Sequence, residues 1–229
     1  MTKTALVLGA GMVGVCTAWH LVRRGFDVTV VDRRGPGQET SYGNAGLIQR
    51  ECVAPHHFPH EFSRIARIAL GRGNDVHYSM RAMPALAKPL FEYWRASGPG
   101  PYPAIVRHYE AMIRHCLTEH ETMIEASGAR DLIHPGGFKF ALQSAEALAA
   151  EATIAERLKR DFGISSIVLD GEGLAKAEPA LRQRFAGGIH WTDPWAVRDP
   201  GGLVERYAQA LERAGCTMAV GDAATPCPS

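Results

Sequence analysis

The sequence predicts an α/β fold, in which a parallel sheet formed by both ends of the chain is interrupted by an inserted α+β region. Residues 5–8 and 28–31 are short apolar runs without alternation, which is typical of parallel strands covered on both faces. A third apolar run, at residues 217–220, can return to the same sheet. These runs assign both ends of the 229-residue chain to one sheet and leave its middle as the insertion.

The first strand leads into a glycine-rich turn, Gly9-Ala-Gly-Met-Val-Gly14, and then into a helical pattern that stops at Gly25. The second strand follows and ends at Asp32. Strand, Gly-x-Gly-x-x-Gly turn, helix, strand and acid within about thirty residues form the context in which this motif binds a dinucleotide. Gly9 allows the sharp turn, Gly11 lets the backbone approach a pyrophosphate, and Gly14 lets the helix lie close on the strand.

The start of this helix is the predicted phosphate site. Met12 and Val13 stand in its first turn, where unpaired N–H groups and the helix dipole attract anions. Asp32 can accept hydrogen bonds from ribose hydroxyls, which favours FAD or NAD over NADP. Arg33, which we include among the candidate cofactor-binding residues, and Arg34 follow directly and soften that preference. The alternative is an ordinary α/β turn whose glycines serve only packing.

The middle of the chain carries amphipathic helical patterns and alternating strand patterns. Helices are predicted at residues 61–71, 84–95, from 105 to a stop at Gly128, and at 145–162, 174–181 and 203–214; strands are predicted at 137–142, 164–169 and 187–192. Ser144 and Asp199 are predicted N-caps. The predicted division is an incomplete Rossmann-like FAD/NAD(P)-binding domain at residues 1–55 and 195–229, with an α+β substrate domain inserted at residues 56–194.

Composition restricts the classes of partner and the compartment. A net charge of +1 argues against nucleic acid and against a strong role for anionic lipid. Because no apolar run reaches the roughly 20 residues of a membrane span, we expect no transmembrane segment, while peripheral membrane contact stays open. Five scattered cysteines, and a first strand that leaves no room for a signal peptide, predict a cytoplasmic protein.

Two polar clusters are weaker candidates for chemistry. His56, His57 and His60 have a metal-like spacing, but intervening prolines break any helix there, so we predict no metal site. Arg198 is a candidate partner for a substrate carboxylate, with a capped turn and packing tryptophans as the favoured alternative. The sequence assigns no catalytic side chain.

The segment Glu39-Thr-Ser-Tyr-Gly-Asn-Ala-Gly-Leu-Ile48, together with the glycine turn, resembles the FAD-dependent amine and amino-acid oxidoreductases of the D-amino-acid oxidase superfamily. The nearest resemblance is to the D-amino-acid dehydrogenase branch, and residues 178–181, 187–190 and 199–204 support it. The resemblance implies FAD as the cofactor. It places Thr40 and Ser41 at phosphate, and along the flavin it places Asn44, Ala45, Gly46 and Leu47.

The resemblance also implies a reaction. The family oxidises the C–N bond of a D-amino acid or related amine by hydride transfer from the substrate α-carbon to flavin N5, and the imino acid then hydrolyses. The partner would thus be a small amino acid or amine. Family members are much longer than this chain, so we expect a C-terminally truncated product whose activity is in doubt.

Two alternatives to this reading stay open. The chain could be a non-catalytic nucleotide-binding fragment, or a subunit that needs a partner chain to supply further strands to its sheet. It could also be an NAD-dependent dehydrogenase, although the segment at residues 39–47 argues against that.

Overall fold

The computed structural model describes residues 2–70, 79 and 81–222, and it contains helices and strands throughout this part of the chain. The strands are β1 (Thr4–Leu8), β2 (Asp27–Asp32), β3 (Leu47–Ile48), β4 (Ile133–Pro135), β5 (Phe138–Leu142), β6 (Ser166–Asp170), β7 (Gly187–Trp191), β8 (Trp195–Val197) and β9 (Thr217–Val220). The helices are α1 (Met12–Arg23), α2 (Phe62–Ala69), α3 (Met83–Ala96), α4 (Tyr102–Ile113), α5 (Cys116–Ser127), α6 (Ala145–Phe162), α7 (Gly171–Ala177) and α8 (Pro200–Arg213). A short 3₁₀ helix at Arg130–Leu132 precedes β4.

The strands form three small sheets. The first is parallel, in the order β1-β2-β9, and joins both ends of the chain as predicted. The second, in the order β3-β8-β4, is antiparallel and joins the segment after Gly46 to residues near position 196. The third, in the order β5-β7-β6, is also antiparallel and comes from the predicted insertion.

One face of the parallel sheet carries the main hydrophobic core. Val7, Val28 and Val30 point to this face and pack with buried side chains of α1, α5 and α8. The opposite face of β1 differs from the prediction of a strand covered on both sides, because Leu6 and Leu8 are 63% and 58% exposed. Successive strand side chains point to opposite faces, and α1, α5 and α8 contribute to the core on the side that carries Val7.

Contacts divide the chain into two units. We call Cys52–Arg114, with α2, α3 and α4, the helical unit. Met1–Glu51 and His115–Ser229 form the sheet unit, which contains all three sheets. The predicted insertion, residues 56–194, covers most of the helical unit and continues into the sheet unit, so its bounds stay a prediction. In the described part of the chain, every helix is too short or too polar to span a bilayer.

Most predicted elements are present, with a few differences. The long helix predicted from residue 105 is two helices, α4 and α5, which are separated by Arg114 and His115. The helix predicted at residues 174–181 begins earlier, since the Asp170 side chain accepts a hydrogen bond from the Gly173 N–H, and it ends before Pro179. The predicted N-caps at Ser144 and Asp199 are confirmed, because both accept hydrogen bonds from helical N–H groups.

Candidate functional site

The glycine turn has the tight geometry that its sequence predicts. Gly9 has φ +99°, a left-handed conformation that side chains rarely adopt, and its N–H donates to the Val31 carbonyl. A Cβ on Gly14 would collide with the Gly9 carbonyl. The sequence therefore needs glycine at both positions to bring the start of α1 against the end of β1.

An open cleft of about 520 Å³ lies over this turn and the start of α1. Residues of the glycine turn and of the segment around Ser41 line it together: Val7, Leu8, Gly9, Gly11, Met12, Val13, Gly14, Thr17, Thr40, Ser41 and Asn44. The Met12 N–H donates to Ser41 Oγ at 3.1 Å, which fixes the second segment against the helix start. A Cβ on Gly11 would lie at an ordinary contact distance of 3.5 Å from Ser41 Oγ, so a side chain larger than that of alanine would enter the gap between the two segments.

The chemistry of this cleft fits the pyrophosphate of FAD. Its described lining offers hydroxyl groups and a helix N-terminus and contains no carboxylate. Val13, the second residue of α1, is 81% exposed and leaves its turn accessible. The structure thus brings Gly9, Gly11 and Gly14 together with Thr40 and Ser41 around one cleft.

Asp32 is held at the carboxyl end of β2 by two backbone groups. Its Oδ2 accepts from the Ala10 N–H at 2.7 Å, and its Oδ1 accepts from the Arg34 N–H at 2.8 Å. The first bond ties the carboxylate to the glycine turn. Because a carboxylate offers about four acceptor sites, two hydrogen bonds leave capacity for ribose hydroxyls.

Arg33, beside Asp32, is bound by Glu39, a residue for which the sequence predicts no such role. Its Nε and Nη2 donate to the two carboxylate oxygens of Glu39 at 2.6 and 2.7 Å. This hydrogen bond from Arg33 lowers the pKa of Glu39, and the same bond raises the pKa of Arg33. Arg34 Nε lies 3.5 Å from the same carboxylate.

The segment predicted to follow the flavin is fixed by the second sheet. Asn44 Oδ1 accepts from the Gly46 N–H at 2.8 Å, and Gly46 has φ +64°. The Gly46 carbonyl then accepts from the Val197 N–H at 2.6 Å, and Leu47 pairs with Ala196 in β8. Asn44 lines the cleft, whereas Ala45, Gly46 and Leu47 are not among its lining residues. Strand β8 lies where the sequence predicts no strand, because three residues are too few to show a periodicity.

The weaker candidates have other partners. Arg198 follows β8, and its Nη2 lies 2.8 Å from Nε2 of His134 on β4, with both side chains exposed. In the helical unit, the rings of His60 and Trp94 stack with their centroids 5.1 Å apart, and the His57 and Tyr102 rings are 5.5 Å apart. These histidines therefore contribute to an aromatic cluster.

The chain is similar to known oxidoreductases over nearly its whole length. A family model described as FAD dependent oxidoreductase matches residues 4–225. A D-amino-acid oxidase from Bradyrhizobium diazoefficiens is 27% identical over 222 residues, which cover 93% of this chain and 51% of that protein. A D-amino acid dehydrogenase from Rhodopseudomonas palustris is 27% identical over 239 residues, covering 94% of this chain and 50% of that protein. The chain thus spans about half the length of the curated relatives it matches.

A solved structure shows the same fold at low sequence identity. The structure of L-amino acid deaminase from Proteus myxofaciens in complex with anthranilate matches with a TM-score of 0.57 and 16% identity, over 96% of this chain and 38% of that one. This likeness supports the predicted α/β fold, with a parallel sheet that corresponds to part of a Rossmann-like domain. On the match to residues 4–225, the chain belongs to the FAD-dependent oxidoreductase family, which confirms both the predicted resemblance and the predicted cofactor, FAD.

Proposed function

We propose that this chain supplies the cofactor-binding part of an enzyme that oxidises the C–N bond of a D-amino acid or a related amine. The observation that carries the proposal is the cleft in which the glycine turn meets Thr40, Ser41 and Asn44. Relatives named D-amino-acid oxidase and D-amino acid dehydrogenase, each 27% identical, support this substrate class.

We assign a part of FAD to each group of residues in and beside the cleft. The turn residues Gly9, Gly11 and Gly14 admit the pyrophosphate, and the helix start at Met12 and Val13 stabilises its charge. Thr40 and Ser41 face the phosphates from the other side. We assign the ribose hydroxyls to Asp32, beside Arg33, and the flavin to the segment Asn44, Ala45, Gly46 and Leu47.

The protein's part in the reaction is to hold the cofactor and to orient it. When bound, FAD supplies the electron-pair acceptor at N5 that C–N oxidation by hydride transfer requires. The hydrogen bonds of Asn44 with Gly46, and of Gly46 with Val197, fix the backbone of the flavin-facing segment before any ligand arrives. Such a preorganised backbone positions its N–H donors without rearrangement during the reaction.

A second candidate function is favoured by the uncovered side of the parallel sheet. Among the described strands, β1 pairs only with β2, and its Leu6 and Leu8 are largely exposed. An open edge beside apolar surface is a site for further strands. In this second proposal the chain binds the nucleotide but turns over substrate only when further polypeptide, from a partner chain or a longer chain, completes the sheet.

The cytoplasmic location stays a prediction.

The first test is a visible absorption spectrum of the purified chain after FAD is added and free FAD is removed. We expect retained flavin absorbance, and loss of it in Gly11→Val, whose side chain would fill the gap beside Ser41. Gly43→Val is the matched control, because a Cβ at Gly43 meets nothing within 4 Å. A colourless protein would contradict the proposed site.

A turnover assay then separates the two candidates. The flavin-loaded chain is supplied with D-amino acids and an artificial electron acceptor. Turnover supports the complete oxidoreductase, whereas flavin retention without turnover supports the part that needs further polypeptide.

A further inference from the structure

The end of β2 carries two cations where a phosphate could bind. Arg33 and Arg34 follow Asp32 directly, and their side chains are 66% and 63% exposed. In dinucleotide-binding folds, an arginine near this position accommodates the 2′-phosphate of NADP. The chain therefore holds the residue type that would accept a phosphorylated ribose, next to an acid that would accept an unphosphorylated one.

Glu39 occupies two donors of Arg33 and forms an ion pair with Arg34. Its carboxylate receives both parallel hydrogen bonds of the Arg33 guanidinium, at 2.6 and 2.7 Å, and lies 3.5 Å from Arg34 Nε. The two N–H groups of a guanidinium that already donate to a carboxylate in this way cannot at the same time donate to a phosphate. The side chains of Arg33 and Glu39 are 66% and 33% exposed, so the pair lies at the protein surface, where a ligand can reach it.

The surrounding charges act in the same direction. Asp32 and Asp222 also act electrostatically on Arg33, and both lie near the carboxyl ends of the paired strands β2 and β9. Two guanidinium groups thus stand among three carboxylates, and their formal charge is negative in sum. A phosphate dianion placed beside Asp32 would be repelled unless one of these carboxylates were removed.

We infer that Glu39 is a specificity-determining residue of the dinucleotide site: its ion pair with Arg33 and Arg34 keeps these arginines from binding a ribose 2′-phosphate. The inference rests on the proposed cofactor site, and it adds a role for a residue outside the cleft lining. Asp32 selects by offering acceptors to hydroxyl groups and by its negative charge. Glu39 adds selection by occupying the donors that a phosphate needs.

The test uses two probes that differ only in the phosphate, ADP-ribose and 2′-phospho-ADP-ribose, measured by calorimetry on the whole chain at low salt. We expect the wild-type chain to prefer ADP-ribose. Glu39→Gln should raise the affinity for the 2′-phosphate probe about tenfold, as expected when charge-assisted contacts become available, and should change ADP-ribose binding little. The double variant Glu39→Gln with Arg33→Gln should lose most of this gain.

Glu121→Gln is the matched control. Glu121 also pairs with an arginine, Arg130, and its side chain is 35% exposed, close to the value for Glu39. It therefore reports the effect of removing one negative charge elsewhere in the sheet unit, and we expect it to leave the ratio of the two affinities unchanged.

The outcomes separate this inference from the proposed function. An unchanged ratio in Glu39→Gln, with FAD still bound, would overturn the inference alone. An equal gain in Glu121→Gln would also overturn it, because net charge would then explain the effect. Failure of the wild-type chain to bind FAD or ADP-ribose would contradict the proposed site and the inference together.

Discussion

Two helices of equal length, α8 in the sheet unit and α3 in the helical unit, have opposite relations to their surroundings. Both have 14 residues, and both carry proline at one of their first two positions. Helix α8 buries seven residues, whereas α3 buries none. A similar start and the same length therefore accompany different burial.

The difference comes from what each helix packs against. Leu203 and Leu211 of α8 are fully buried in the core on one face of the parallel sheet. The apolar side chains of α3 remain accessible, with Leu86 39% and Phe91 59% exposed. A helical stripe of apolar residues predicts a helix, but the surface that covers the stripe decides how much it stabilises the protein.

The largest expected effect tests this contrast with one substitution at two sites. Leu203→Ala should lower the free energy of unfolding by about 2–5 kcal/mol, because it opens a cavity in a packed core. Leu86→Ala, the same change on α3, should cost about 0.5 kcal/mol or less, as exposed substitutions do. Urea denaturation followed by circular dichroism measures both. Equal losses would mean that α3 is packed as tightly as α8.

The two units also differ in how far the sequence predicts their structure. The strands of the parallel sheet could be predicted because apolar runs, a glycine turn and an acid lie within one continuous segment. Strands β3 and β8 could not, because each has two or three residues and is defined by pairing across about 150 positions of sequence. The break between α4 and α5 carries no proline or glycine at Arg114 or His115, so the sequence has no local signal for it.

The second prediction concerns the Gly9–Gly14 turn of the sheet unit. The described residues of the helical unit contain no such strand-to-helix glycine turn. Gly14→Ala should cost about 1–3 kcal/mol, because its Cβ would overlap the Gly9 carbonyl and force the helix start away from β1. Gly11→Ala should cost less, since its Cβ meets Ser41 Oγ at an ordinary 3.5 Å. Thermal unfolding of the two variants measures the difference. A larger loss for Gly11→Ala would contradict the close approach at Gly14.

The parts of the candidate site that depend on contacts close in sequence could be predicted, whereas the parts that depend on distant contacts could not. Gly9, Gly11, Gly14 and Asp32 belong to one motif whose spacing carries their roles. The ion pair between Glu39 and Arg33 could not be predicted from the sequence. The two residues are six positions apart in a loop, where the sequence shows no periodicity. The anchor of Gly46 on Val197 likewise depends on a strand pair that only tertiary structure forms.

A smaller effect is expected at the N-cap of α8. Asp199→Ala should cost about 1 kcal/mol, because the Asp199 side chain accepts the Gly202 N–H at 2.9 Å. Asp199→Asn, which keeps an acceptor, is the control and should lose much less. In α3 the corresponding residue, Ala82, has helical dihedral angles and no capping side chain, so Ala82→Ser should gain little. Chemical denaturation of the three variants would contradict the contrast if Ala82→Ser stabilised as much as Asp199→Ala destabilised.

The smallest effect is a pH dependence that we expect from the sheet unit. His120 on α5 lies with Nδ1 3.1 Å from the buried Tyr207 hydroxyl of α8, and burial lowers the pKa of His120 from its ordinary 6.5. The folded chain therefore holds this ring neutral at pH values where the unfolded chain already binds a proton. The free energy of unfolding should thus be insensitive to His120 well above pH 6.5, and it should fall as the pH drops below 6.5 towards the lowered pKa.

The variant His120→Gln separates this contribution from other acid effects. Loss of the contact with Tyr207 lowers the free energy of unfolding by the same amount at every pH. Loss of the buried, titratable imidazole makes the fall in this free energy between pH 7.5 and pH values below about 6 less steep. His60→Gln is the matched control, because His60 belongs to the helical unit and its side chain is exposed. Denaturation midpoints across this range give the slopes. If His120→Gln and wild type fell in parallel, burial of His120 would not contribute to acid sensitivity, and the difference between the two units would be one of packing alone.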